Sequence, residues 1–170
     1  MLQVSVGWNL IAVPGDSPYT AASLAAEINS QGGTVSEIDR WNLGSWQAYL
    51  VGYPFDDFPV DPARGLFIRA SAPSQWQIQS AGTLGKRTLA AGWNLLSAPA
   101  CSNGQLSCYT AATLASSMNS QHGSVVEVDQ WANGSWQAYL VGYPFNDFPI
   151  ELGRAYFIQA TAPSTWKPDQ

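Results

Sequence analysis

Four carboxylates and two indoles carry the pattern that first suggests chemistry: Glu37, Asp39 and Trp41, then Glu127, Asp129 and Trp131. Each set alternates along a strand-like segment, so its two acids and its indole share one face. Acids two positions apart on a strand stand roughly 7 Å from each other, a glycosidase-like spacing beside a ring that stacks on sugars. Any two alternating acids achieve that distance, however. Glycoside cleavage needs them on opposite sides of the bond, and these point the same way. A glycosidase is therefore the third reading. The favoured role is structural, with Glu37 and Asp39 expected to meet Arg64, and Glu127 and Asp129 to meet Arg154. If such a pair is shielded, removing Arg154 strands a carboxylate at a cost on the order of 3 kcal/mol.

The single histidine, His122, follows a helix-like segment at a point where the matching residue is Gly32. A Ser-His-Asp arrangement needs its His held by a third group in a cleft. A left-handed residue closing a helix is the expectation here instead. Asp56-Asp57 and Asn146-Asp147 read as turn acids, because calcium takes about six to eight oxygens and no Asp-rich ladder supplies them. No metal, cofactor or catalytic set is assigned, and the chain is read as non-enzymatic.

The aromatics offer a binding chemistry. Flat rings with Asp, Asn and Gln nearby suit sugars, whose apolar faces stack while their hydroxyls need hydrogen bonds. The candidate ligand-binding residues are Tyr49, Tyr53 and Asp57 with Tyr139, Tyr143 and Asp147; Trp41 and Trp131 are the second choice. In the competing reading these rings fill the cores of small β lobes. Trp8, Trp93, Trp76 and Trp166 lie in apolar strands and are expected in the core.

The elements that position these residues are written twice. Gly44–Phe55 returns unchanged as Gly134–Phe145, and both copies are followed by Asp/Asn-Asp-Phe-Pro and then by Arg64 or Arg154. A fixed-period repeat takes precedence over other patterns. The expected organisation is repeat unit 1 over 1–79, a connector over 80–91 and repeat unit 2 over 92–170. The fold class is α+β and mainly antiparallel β. Each of the two homologous repeats is a small sheet or partial barrel with one short helix. A helix is predicted at about 21–30, capped by Thr20, with a second copy running from Thr110 to His122-Gly123. Ala21, Leu24, Ala25 and Ile28 form the first apolar face; Ala111, Leu114, Ala115 and Met118 form the second. Hairpins are expected to turn at Asn42-Leu-Gly44 and Ala132-Asn-Gly134. A last hairpin includes 66–70.

With 170 residues the chain is long enough to bury a core,. Charged residues are only 11% and the net charge is −5, without a Lys/Arg cluster. Nucleic-acid binding needs a basic surface and is disfavoured. No apolar run reaches the length of a membrane span, so no membrane insertion is expected. Few Lys and Glu with eight Trp suggest an extracellular or cell-surface setting. The opening Met-Leu-Gln-Val-Ser-Val-Gly-Trp lacks the basic region and apolar core of a signal peptide, so a secreted form is expected to be cut from a longer precursor. Cys101 and Cys108 close a five-residue expansion of the loop at Gly15–Pro18 and are expected to form a local disulfide,.

Gly7-Trp-Asn-Leu-Ile-Ala-Val-Pro14, Arg40-Trp-Asn-Leu-Gly-Ser-Trp-Gln-Ala-Tyr49 and Gly65-Leu-Phe-Ile-Arg-Ala70 resemble a tandem repeat module of bacterial secreted and cell-surface proteins. In that family the opening reads Gly-Trp-Asn-Leu-Ile-Ser-x-Pro. The late hairpin usually reads Pro-Gly-x-Gly-Tyr-Phe/Trp-Ile/Val, where this chain has Pro62-Ala-Arg-Gly-Leu-Phe67 and Leu152-Gly-Arg-Ala-Tyr-Phe157. The resemblance implies an extracellular accessory domain beside enzymes or adhesins, with no reaction and no fixed ligand. The leading functional expectation is a non-catalytic module binding carbohydrate or a cell-surface glycan through twin aromatic sites. A structural adhesion or spacer domain with protein partners is the alternative.

Overall fold

Period-two alternation makes most of this chain strand. A computed structural model describes residues 1–13, 19–42, 44–77, 85–99 and 107–168. The first half runs β1 (Leu2–Val4), β2 (Gly7–Ala12), α1 (Ala21–Ser30), β3 (Val35–Asn42), β4 (Ser45–Leu50), β5 (Gly65–Ala70) and β6 (Ser74–Trp76). The second half runs β7 (Arg87–Leu89), β8 (Gly92–Ser97), β9 (Ser107–Thr110), α2 (Ala111–Ser120), β10 (Val125–Ala132), β11 (Ser135–Leu140), β12 (Pro149–Glu151), β13 (Ala155–Ala160) and β14 (Ser164–Trp166).

Two antiparallel four-stranded sheets, β2-β5-β3-β4 and β8-β13-β10-β11, carry the architecture, with three two-stranded pairs beside them. Among the described residues none of these sheets is closed. The stretch expected as a late hairpin, β5, is instead an interior strand between β2 and β3. β7 lies within the stretch read as connector, where it pairs with β14.

Local chemistry sets the element ends. Thr20 caps α1 through its side chain, which accepts from the Ser23 N–H, while Ser23 Oγ accepts from the Thr20 N–H. Thr110 and Thr113 repeat the arrangement at α2. The buried helix faces are the ones the periodicity marks: Ala21, Leu24, Ala25 and Ile28, then Ala111, Leu114, Ala115 and Met118. His122 sits just beyond α2 at φ 68°, in the left-handed region expected of it,. The β10–β11 hairpin turns on Asn133 and Gly134 at φ 53° and 77°, as a type I′ turn requires,. Leu43, in the matching first turn, lies outside the described residues. So does Cys101, and with it the predicted link to Cys108.

Each four-stranded sheet buries one face under its helix. Ile38, Tyr49, Leu66, Ile68 and Trp76 pack with the α1 residues, and Val128, Tyr139, Tyr156, Ile158 and Trp166 pack with those of α2. The opposite faces meet each other through Leu10, Ala12, Leu95 and Ala155, all buried. The result is a helix–sheet–sheet–helix stack. Each buried leucine at the sheet–sheet seam contributes about 1.5–3 kcal/mol by leaving water. Contact there is close: a Cβ on Gly65 would stand 2.4 Å from the Ala155 Cβ and 2.8 Å from the Leu95 Cγ. Backbone bonds clasp both ends of the seam, from Ala12 N–H to Gly153 O at 2.9 Å and from Ser97 N–H to Ala63 O at 3.2 Å.

Candidate functional site

The strand register decides which side chains reach the seam. On β3 the set facing the seam is Glu37, Asp39 and Trp41; opposite them on β4 stand Leu50, Ala48 and Trp46. Phe67 and Arg69 of β5 and Trp8 of β2 complete that face. The second half presents Glu127, Asp129, Trp131, Trp136, Phe157, Gln159 and Trp93 in the same places. Eight aromatic rings are thereby gathered around the seam, packed edge to face for the most part. Trp46 lies 5.6 Å from Phe67 and 6.4 Å from Phe157; Trp136 lies 5.6 Å from Phe157 and 6.2 Å from Phe67.

Among the described residues, two of the clefts along this seam match each other, and each is built from both halves. The first, about 550 Å³, is walled by Trp8 of the first half and Trp131 of the second, with Glu151 and Arg154 also lining it. The second, about 630 Å³, is walled by Trp41 of the first half and Trp93 of the second, with Asp61 and Arg64 in the matching places. Trp8 and Trp93 keep 37% and 39% of their surface exposed, so they are not the core residues their apolar strands suggested. Their neighbours explain the inversion. Asn9 turns inward, where its side chain accepts from the Ser5 N–H and donates to the Ser5 and Gly7 carbonyls; Asn94 does the same at Ala90 and Gly92. That inward asparagine sends the preceding tryptophan to the other face. Trp76 and Trp166 are core, as expected.

Arg64 and Arg154 do not meet the acidic strands. Arg64 Nε lies 4.0 Å from Asp61 Oδ2, and Arg154 Nε lies 4.0 Å from Glu151 Oε2, each within its own turn. The register gives the reason. Arg69 stands opposite Glu37, whereas Arg64 precedes β5 by one residue, roughly 16 Å away along the strand,. Glu37 accordingly pairs with Arg69, at 3.6 Å. The second half has Gln159 where Arg69 would be. Asp39 and Asp129 each keep one buried carboxyl oxygen without a hydrogen-bond partner among the described residues. Burial, with the charge of Glu37 added, raises the Asp39 carboxyl to about 6. Burial, the charge of Glu127 and a hydrogen bond with Glu127 raise the Asp129 carboxyl to about 7.

The tyrosine-centred candidates do not assemble into a site. Tyr49 and Tyr139 are buried under the helices, so neither ring is available to stack on a ligand. Asp57 Oδ1 accepts from the Ala22 N–H and Asp147 Oδ1 from the Ala112 N–H, both at 2.9 Å, which spends these acids on helix N-termini,. Tyr53 and Tyr143 stand out at 63% exposure, on loop tips away from both clefts. The second-choice residues, Trp41 and Trp131, are the ones the structure places in clefts. Of the rings on opposite faces of β4 and β11, sequence reasoning chose Tyr49 and Tyr139 over Trp46 and Trp136, and it did not single out the buried Arg87, whose Nη2 donates to Ser97 Oγ at 3.2 Å. Among the described residues, no group of three or more His, Cys, Asp or Glu is arranged to hold a metal, and no helix is long and apolar enough to cross a membrane.

No protein-family model, curated protein or solved structure matches the chain.

Proposed function

We propose that the chain is a non-catalytic module built from two homologous repeats, which binds carbohydrate in the twin clefts between them. The observation that carries this reading is the matched lining of the two clefts. Each offers an indole from either half and an arginine–carboxylate pair in the same turn. Both volumes fall within the range of small-ligand sites. Indole faces take the apolar side of a sugar ring, while the guanidinium donates to hydroxyl oxygens and the carboxylate accepts from hydroxyl hydrogens. Two such sites on one chain gain avidity for a polymer that spans both. An extracellular or cell-surface setting belongs to the same proposal, supported by the composition and by the resemblance to tandem surface modules.

Retention on insoluble polysaccharides and on a glycan array tests it. Trp8→Ala with Trp93→Ala should abolish retention, and either change alone should weaken it. Full retention by the folded double variant overturns the reading.

A second reading rests on a different observation. Tyr53, Phe55, Tyr143 and Phe145 are exposed on two apolar loop tips, a surface suited to a protein partner in an adhesion or spacer role,. Binding lost through Tyr53→Ala with Tyr143→Ala, while the Trp8 and Trp93 changes are silent, favours that reading. Release of reducing ends from a retained polysaccharide would favour a glycosidase over both.

A further inference from the structure

We propose that a third, smaller slot in the seam is an aromatic cage for an organic cation of the quaternary or trimethylated ammonium class. The slot is an open depression of about 300 Å³ lined by Trp41, Trp46, Trp93, Trp136, Phe157 and Asp129. Five of these six residues are aromatic, the sixth is an acid, and none is basic. Trp46 and Trp136 each keep 49% of their surface exposed, so the rings are open to a ligand. Indole faces attract a cation through their quadrupole, most strongly where water is excluded, and a carboxylate supplies the balancing charge. Asp129 has a buried oxygen with no donor to satisfy it among the described residues.

The first half shows what this face takes when the chain supplies the cation itself. There Arg69 lies 3.6 Å from Glu37 and places its guanidinium 5.9 Å from the centre of the Trp8 ring. The second half keeps the acids and the indole, as Glu127, Asp129 and Trp93, and replaces the arginine with Gln159. Its acidic aromatic face therefore has the acceptors without the internal cation. A sugar is a poorer fit to this slot than to the clefts, because the slot has a carboxylate but no guanidinium beside it. The net charge of −5 also favours cations at a distance,.

Tryptophan fluorescence and calorimetry on the whole chain at pH 8, above the raised value of the Asp129 carboxyl, test the cage. The probes are choline chloride, Nε-trimethyllysine amide and the neutral isostere 3,3-dimethylbutan-1-ol. Saturable binding of both cations, with none of the neutral alcohol, is the expected result. Binding of only one cation identifies the body that the head must be carried on and still supports the cage. Asp129→Asn should weaken binding by about tenfold or more, and it leaves a side chain of the same shape. Gln159→Arg places a cation as the first half does and should compete with the probe to a similar extent. Equal binding of the neutral alcohol, no saturable binding of either cation, or unchanged affinity in both variants overturns the proposal.

Discussion

The indole N–H of Trp131 donates to the backbone carbonyl of Trp8, 3.0 Å away and 123 positions distant in the chain. That bond ties the wall of one cleft to the strand forming its opposite wall. Trp131→Phe keeps a ring and drops the donor, leaving the Trp8 carbonyl unmatched. The expected cost is about 1 kcal/mol, or a fall in Tm of about 2–4 °C. Calorimetry of the variant checks it, and an unchanged Tm would show that the bond contributes nothing to the seam.

Asp39 and Asp129 make stability depend on pH in an unusual direction for carboxylates. Their folded-state values of about 6 and about 7 lie above the ordinary value of 3.8. Between roughly pH 4 and pH 7 the folded chain therefore holds more protons than the unfolded chain, and stability falls as pH rises through that window. Both groups are partly solvated, so screening keeps the effect on the order of 1 kcal/mol. Asp129→Asn should flatten the upper part of the profile and raise Tm at pH 8. A Tm that climbs steadily from pH 4 to pH 8 in the wild-type chain contradicts this account.

Arg154→Ala should change stability by less than about 1 kcal/mol. Its contact with Glu151 is long, at 4.0 Å, and the two side chains are 31% and 55% exposed. No acid is stranded in the interior when it is removed, contrary to the larger penalty expected of a shielded pair. Urea denaturation should separate the two cases, since only a buried partner gives a shift of several kcal/mol. Glycan retention should fall in the same variant, because the guanidinium lines a cleft.

Gly65→Ala tests how tightly the sheets meet. The added methyl would stand 2.4 Å from the Ala155 Cβ, closer than any relaxed contact, so the sheets must part locally at a cost of about 1–3 kcal/mol,. Combining it with Ala155→Gly removes the nearest atom in the way, leaves the Leu95 side chain at 2.8 Å, and should recover part of the loss,. Equal stability of Gly65→Ala and the wild-type chain would mean that the seam yields freely.

Much of the local structure was legible in the residues. Thr20 and Thr110 announce the helices, the apolar spacing gives their buried faces, and alternation gives β3, β4, β10 and β11. What stayed hidden depends on contacts between distant segments. Arg64 draws attention because Arg154 repeats it, yet the β3–β5 register places Arg69 opposite Glu37 and leaves Arg64 beyond the strand end. Tyr49 and Trp46 lie on opposite faces of one strand, and only the helix packed above Tyr49 decides which ring is core. Trp8 reads as apolar core because its strand is apolar, yet the hydrogen-bonding needs of Asn9 send it outward.

Because each cleft takes one wall from either half, a single half-chain owns two half-sites and no complete one. Such a fragment would rebuild a cleft only by meeting a second copy, so its binding would rise steeply with protein concentration. Joining the halves makes that encounter intramolecular, and occupancy at high dilution then depends on ligand alone. The two halves differ at Arg69 and Gln159, while Leu10 and Leu95 stay buried together at the seam.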